Sequence, residues 1–499
     1  MNSIKTCLFL LAFAASGFNT IAVAELHAGA AKVDITNRDR GPVNDPLHAR
    51  ALVLRSGETT VAVISMDVVS LGEIGHIGND FLPNVRARLE RDPGIPPRNV
   101  IINASHCHGV PADDTEDRTV QAVRDAFGRL EPATVGAGTG FEDRIMENRR
   151  LRLKSGREAD VRHAYSLPPD EEVVGIGPVD PEIGILRIDR KSGGNLAVVY
   201  NYAGHPIQGA AGGGNTADIT GFSSQVIEDN LADGTIALFL QGCGGDINPI
   251  DYKHTDHPRD GEPLGNMLGL STLQAVRGIE CDDDDTLKLV NETITLPRAD
   301  LAPRIEELEA ELLQQARSLR GTSLNLKTFL PLVVKYNLAG DYPSYYSHRY
   351  LHDEKIGRNH LTRLDAENRA NMERYIRNIH TMERITRINT NLRLLRNHQR
   401  SFVAKGRTID VELVALRVGD FRLITFPGEV VCQIGLNIKK AAKHDHTFVA
   451  GVTNGYIYYC PTVEQLRNRG NAQEDSECVL APEWQALFEN KAATMLNGL

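Results

Sequence analysis

The sequence has no excess of positive charge: 55 Lys and Arg stand against 65 Asp and Glu, a formal net charge of −10 over 499 residues. That balance excludes the general electrostatic footprint of a nucleic-acid binder. Beyond the first two dozen residues no apolar run is long enough to cross a bilayer, so no later transmembrane helix is expected. No fixed-period repeat is visible, which removes solenoids and propellers. The seven cysteines include no CxxC pair, the spacing expected of a zinc–thiolate site. The glycine-rich "GCGG" at 242–245 lacks the Lys and Ser/Thr that make a phosphate-binding loop.

What is present is ordinary globular composition, 41% hydrophobic and 24% charged, enough for one large α/β domain with a subdomain. The start has Lys5, a short apolar core and then Ala22-Val23-Ala24. This reads as a signal peptide over 1–24 cleaved before Glu25, so the expected location is secreted or periplasmic. Cys7 would leave with that peptide. The other six cysteines would meet an oxidising compartment, where disulfides are permitted. The pairing favoured is Cys460 with Cys478, which would staple one polar loop.

Short β-rich runs ("AAKVDIT", "HARALVLRSGETTVAVISMDVVSL", "NVIINAS") alternate with helical spacing in "NDFLPNVRARLERD", which argues an α/β core. "EIGILRIDR", "NLAVVYNYAG" and "TIALFLQGCGGD" continue the theme. After Pro303 the character changes. Ile305, Leu308, Leu312 and Leu319 follow helical spacing, as do Met372, Tyr375, Ile379 and Met382. The expectation is mixed β-sheets flanked by helices over 25–299 and 401–499, interrupted by a largely helical insertion at 300–400.

Four apolar runs end abruptly in Gly, Pro and a polar or metal-capable residue, and open α/β sheets gather ligands outside the carboxyl ends of their strands. "NASHCHGVP" delivers His106 and His108; in an extended segment both rings face one way and Cys107 the other. "YAGHPIQ" delivers His205, "QGCGGDINP" delivers Asp246 and Asn248, and "FPGEVV" delivers Glu429, with Tyr456 and Tyr459 soon after in "NGYIYY". Two histidines and a carboxylate make a competent catalytic zinc set that leaves a position for water. Taken singly each residue has a plainer use: a hydrogen-bonded core histidine, a turn-capping Asp246, a helix-end Glu429, a packed Tyr456.

The order of "AAKVDIT", "SHCHG", "NRR", "AGHP", "GGDINP", "PGE" and "NGYIYY" resembles that of the neutral (non-lysosomal) ceramidases, from about residue 27 to about residue 470, with a poor match over 300–400. The resemblance implies a zinc amidase with a mixed α/β catalytic domain. It further implies that His106, His205, Glu429 and Tyr456 (with Tyr459 as rival) hold Zn²⁺. His108 and Arg149 would stabilise the oxyanion, and one of them or Tyr456 would assist protonation of the leaving group. The chain also departs from the family. Gly109-Val110-Pro111 follows the paired histidines where the family has Ser-Gly-Pro, and Asn248 stands where it has a serine. An amide is no nucleophile, so Asn248 is expected to hydrogen-bond substrate. No counterpart of the family's C-terminal β-sandwich is expected.

The implied activity is hydrolysis of an amide in an N-acyl lipid or related small molecule by metal-activated water. A second reading is a metal-dependent hydrolase or lyase acting on an anionic or N-acylated carbohydrate. It rests on the tyrosines of "DYPSYYSHRY" (341–350) and on Arg363, Arg369, Arg374, Arg377, Arg384, Arg387 and Arg393. Those arginines also fit a solvated helix face balanced by Glu367, Glu373 and Glu383. A third reading, a zinc-bearing binding protein without turnover, has no need of all six of His106, His108, Arg149, His205, Glu429 and Tyr456.

Overall fold

The computed structural model describes residues 25–161, 167–231, 234–250, 252, 256–257, 259–468 and 472–499. The expected signal peptide at 1–24 lies outside them. Eight strands form one mixed sheet in the order Ile236–Gln241, Asn195–Tyr202, Glu182–Arg190, Glu131–Phe141, His27–Asp34, His48–Ser56, Thr59–Met66, Val100–Ala104. Only its outermost pairs are parallel. Each of those is bridged by a crossover containing one helix, Asp218–Asn230 or Phe81–Arg91, as parallel neighbours require. The sheet curls until its edges meet: Ser65 Oγ donates to Phe239 O at 2.6 Å, and Asn103 Oδ1 accepts from Gln241 N at 2.8 Å. A second sheet, Leu287–Pro297, Thr408–Val418, Phe421–Thr425 and Thr447–Ala450, packs against its inner face. Helices cover both outer faces, giving helix–sheet–sheet–helix layers. The expected class, mixed β-sheets flanked by helices with a helical interruption, is what the chain forms.

The interruption has a simple origin. Strands Leu287–Pro297 and Thr408–Val418 pair antiparallel without a register shift, from Leu287 opposite Val418 to Pro297 opposite Thr408. Everything between is therefore one long excursion from a hairpin. It holds helices Ala302–Ser318, Leu326–Leu338, Ser347–Lys355 and the 46-residue His360–Lys405, the last roughly 70 Å long. Its apolar contacts are few. Leu301, Leu308, Ile388, Leu392 and Leu395 make a small core near the sheet, and Phe329 meets Tyr375 at 4.7 Å farther out. Of the "DYPSYYSHRY" tyrosines, Tyr342, Tyr345 and Tyr346 are exposed, whereas Tyr350 is buried and donates to Asp365 Oδ2 at 2.5 Å. Among the seven arginines, Arg384 pairs with Glu311 and Arg377 with Glu373, while Arg387 is buried against Asp160 at 3.0 Å.

One expectation is corrected. Cys460 and Cys478 are free thiols, as are the other four described cysteines. Both lie in the core beneath the smaller sheet and donate to local carbonyls, Cys460 to Tyr458 O and Cys478 to Leu480 O. Just after Cys460, Trp484 Nε1 donates to Pro461 O at 3.1 Å.

Candidate metal centre

The strand Val100–Ala104 stops two residues before His106. Its backbone then stays pinned to the neighbouring strand end, with Ser105 N bonded to Met66 O and His106 N to Val68 O. His106 takes a left-handed conformation, φ 69°, uncommon for a residue with a side chain and a frequent mark of functional sites. The period-two argument for the histidine pair therefore does not apply as stated. The His106 ring is buried and that of His108 exposed, with centroids 5.7 Å apart and planes at 87°. Cys107 turns into the core.

His205 follows the strand Asn195–Tyr202, and Glu429 follows Phe421–Thr425 after Pro427-Gly428. The "GCGG" turn brings the two together. A Cβ on Gly244 would sit 2.1 Å from Gly204 O, and one on Gly245 would sit 2.5 Å from Glu429 O. Glycine is needed there for close backbone approach. Tyr456 arrives on a loop with three left-handed residues, Val452, Asn454 and Tyr458. Asn454 Oδ1 accepts from Ile102 N at 2.8 Å and anchors that loop over the strand carrying the first histidine.

His106, His205 and Glu429 are all buried, and one ligand atom from each lies within 4.8 Å of the others. Each ring has its Nδ1 on a carbonyl, His106 on Val69 O at 2.7 Å and His205 on Gly244 O at 3.0 Å. Those bonds require Nδ1–H, which leaves the neutral ring's Nε2 as a lone pair. Both Nε2 atoms face Glu429 Oε2, at 3.3 and 4.0 Å. That oxygen is buried and accepts no hydrogen bond from the described residues. Three inward acceptors with no donor between them are the arrangement a cation satisfies. The donor set fits a divalent metal with an open position.

The electrostatics around the set are divided. Burial pushes the His106 ring down, but the adjoining Glu429 carboxylate outweighs it and holds the ring above its ordinary value. His205 is held well below, by burial and then by the Arg149 charge. Burial works against the Glu429 carboxylate, yet the neighbouring His106 and His205 keep it far below the usual range. Tyr456 donates to Glu429 Oε1. Its phenol is pushed well above its ordinary value by burial and then by Glu429.

The remaining expected residues sit as follows. Arg149 is 1% exposed, with Nε 2.7 Å from Glu474 Oε1, Nη2 donating to Gly245 O at 2.6 Å and Nη1 to Asn248 Oδ1 at 3.3 Å. Asn248 is fully buried and its Nδ2 has no acceptor among the described residues. Asp246 accepts from Cys432 N at 2.8 Å and from Asn148 Nδ2 at 3.1 Å, so it ties the "GCGG" turn to the Glu429 segment. Tyr459 lies under Arg149, 5.5 Å from its guanidinium carbon, and pairs in register with Glu429.

Two residues that sequence reasoning missed hold the site together. Asn103 donates to Gly451 O and Thr453 Oγ1 while accepting from Gln241 N, joining three strand ends. Glu474, in a 3₁₀ turn at Glu474–Ser476, anchors Arg149. Asn103 lies inside the quoted "NASHCHGVP", where a buried polar residue amid "VIIN" is a legible signal; Glu474 offers none.

This architecture defines a curled mixed α/β protein with a buried two-histidine, one-carboxylate candidate metal centre at its strand ends. Its fold is that of the neutral ceramidases, from which it is divergent. It is similar to the neutral ceramidase of Pseudomonas aeruginosa, with a TM-score of 0.58 at 16% identity, covering 95% of this chain and 74% of that one. A ceramidase complexed with C2 aligns with a TM-score of 0.58 at 14% identity, over 95% of this chain and 75% of that one. No protein-family model and no curated protein matches the sequence.

Proposed function

We propose that this chain is a zinc-dependent amide hydrolase of the ceramidase type, cleaving an N-acyl lipid or a related amide. The observation that carries the reading is the convergence of His106 Nε2, His205 Nε2 and Glu429 Oε2 on one point, with each imidazole locked by its Nδ1 bond. A bound Zn²⁺ would supply Lewis acidity and bring the pKa of a coordinated water to about 7.

The chain's own residues do the rest. Tyr456 donates to Glu429 Oε1 and so turns Oε2 toward the rings; it or Tyr459 is the candidate fourth ligand. His108, exposed beside His106, is placed to hand a proton to the leaving amine. Arg149 is a fixed positive charge that, after burial, disfavours imidazolium at His205 and keeps that ring competent as a ligand; at His106 the same charge is outweighed by Glu429. With its guanidinium already bonded to Glu474, Gly245 O and Asn248, it stabilises a developing oxyanion through its field. Asn248 holds that guanidinium and has one amide hydrogen-bonding atom to offer substrate.

We further assign residues 25–299 and 401–499 to one catalytic unit, with 300–400 as its helical insertion. Export rests on the pattern of residues 1–24, and N-terminal sequencing of the mature protein checks it. Among the described residues no helix is long and apolar enough to cross a membrane. The carbohydrate reading keeps one supporting observation, the exposed Tyr345 and Tyr346, whose rings suit stacking on sugars. Mass spectrometry after incubation with ceramides and with N-acetylated glycans tests both. Free fatty acid and sphingoid base support the first reading, and cleaved glycan alone replaces it with the second.

A further inference from the structure

Four buried arginines in this protein meet a carboxylate: Arg50 with Asp67, Arg149 with Glu474, Arg150 with Asp475 and Arg387 with Asp160. Arg298 does not. It is 8% exposed, Nη2 donates to Ser401 Oγ at 2.9 Å, and Nε is buried without an acceptor among the described residues. No carboxylate of the described residues lies within 4 Å of it. A buried guanidinium with no carboxylate in contact is costly; Glu73, on the same cavity wall, acts on it only from beyond contact distance, and such a charge facing a cavity is one that a ligand can complete.

The cavity is there. Arg298 lines a pocket of about 360 Å³ together with Ser401, His398 and Leu394 of the long helix and with Tyr456 and Tyr458. Tyr456 is the residue whose hydroxyl reaches Glu429, so the pocket adjoins the candidate metal centre. The other charged groups on its wall are accounted for. Glu73 accepts from Tyr458 Oη at 3.2 Å and faces Lys405 at 3.5 Å, and Glu477 accepts from Gln473 Nε2 at 3.4 Å. His398 stacks edge-on to Tyr458 at 4.6 Å and is pushed down to about 4 by burial and then by Arg298, so it is neutral at pH 7.

We propose that this pocket is a substrate subsite for an anionic oxyacid group, a carboxylate or sulfate, bound by Arg298 with Ser401. The substrate is accordingly an amide that carries a negative charge near the scissile bond. The inference rests on the hydrolase reading for its chemistry, but its binding component does not. It also gives the helical insertion a role, since the His360–Lys405 helix supplies one wall of the pocket and the Ser401 hydroxyl bonded to Arg298.

Two matched pairs test it: N-lauroylglycine against N-lauroylethanolamine, and N-acetylglucosamine 6-sulfate against N-acetylglucosamine. Hydrolysis and calorimetric binding are measured for the wild type, Arg298→Met and Arg298→Lys. The wild type is expected to prefer the anionic member of one pair by about tenfold or more, through KM. Arg298→Met should erase that preference and Arg298→Lys restore part of it; the pair that responds identifies the source of the anion. Binding of the anionic member that is lost in Arg298→Met, without hydrolysis of any probe, upholds the subsite and sinks the hydrolase reading. Equal treatment of both members in the wild type, or a preference unchanged in Arg298→Met, overturns the subsite and leaves the hydrolase reading standing.

Discussion

Two regions of this chain solve the burial problem in opposite ways. At the strand ends, His106, His205, Glu429, Arg149 and Asn248 are almost wholly buried, and their polar atoms are aimed by backbone carbonyls and glycine contacts. Along 302–405, charged residues lie mostly in solvent, and Leu326, Leu330, Val334 and Leu338 are all more than half exposed. The first region takes its geometry from many crossing strands. The second takes it from one hairpin ladder and a small apolar core. A site needing ligand atoms placed to a fraction of an ångström belongs in the first; a wall that sets which substrate enters can be built on the second.

The largest expected effect breaks the first region at its centre. His205→Ala should lose both bound metal and all measurable turnover, since it removes one of three converging donors; metal analysis alongside activity checks this, and full turnover with metal retained would defeat the assignment. Next comes the joint between the regions. Arg387→Met leaves Asp160 buried without its guanidinium and should cost roughly 3–5 kcal/mol of stability, read as a shifted denaturation midpoint. If the insertion is merely appended, the shift will be negligible. Leu308→Ala, in the insertion's own small core, should cost about 2 kcal/mol and leave metal content unchanged.

The smallest effect is one of pH. Asp218, buried beside the turn that follows His205, accepts from Gly209 N at 2.6 Å and from Ile219 N at 2.7 Å. Burial pushes its carboxyl up from 3.8 to about 6. The folded state therefore holds a proton that the unfolded chain releases, so this group's contribution to stability falls as pH rises through that window, by about 1 kcal/mol per pH unit at most. Thermal midpoints of wild type and Asp218→Asn between pH 4 and 6 should differ in slope in that direction. Parallel profiles would count against it.

Much of the fold was legible because period-two and helical spacings, with Gly and Pro punctuation, report local burial directly. His106, His205 and Glu429 were legible as polar residues ending apolar runs, and the order of the short stretches tied them together. What stayed hidden depends on contacts distant in sequence. Nothing near Glu474 announces that it anchors Arg149. Nothing in "LPRADL" marks Arg298 as a buried guanidinium lacking an acid. The left-handed turn at His106 goes with its backbone bond to Val68 O, which local extended spacing cannot foresee. The Cys460–Cys478 bridge was expected from compartment and loop length alone, and neither records where a thiol points.

The central claim is that two imidazoles and one carboxylate share a single divalent ion. Anomalous diffraction at the zinc edge, on crystals of the zinc-loaded protein, tests it most directly. A single strong peak is predicted, about 2.0–2.2 Å from His106 Nε2, His205 Nε2 and Glu429 Oε2. A peak elsewhere with none among these three atoms, or no peak in zinc-saturated crystals, would contradict it.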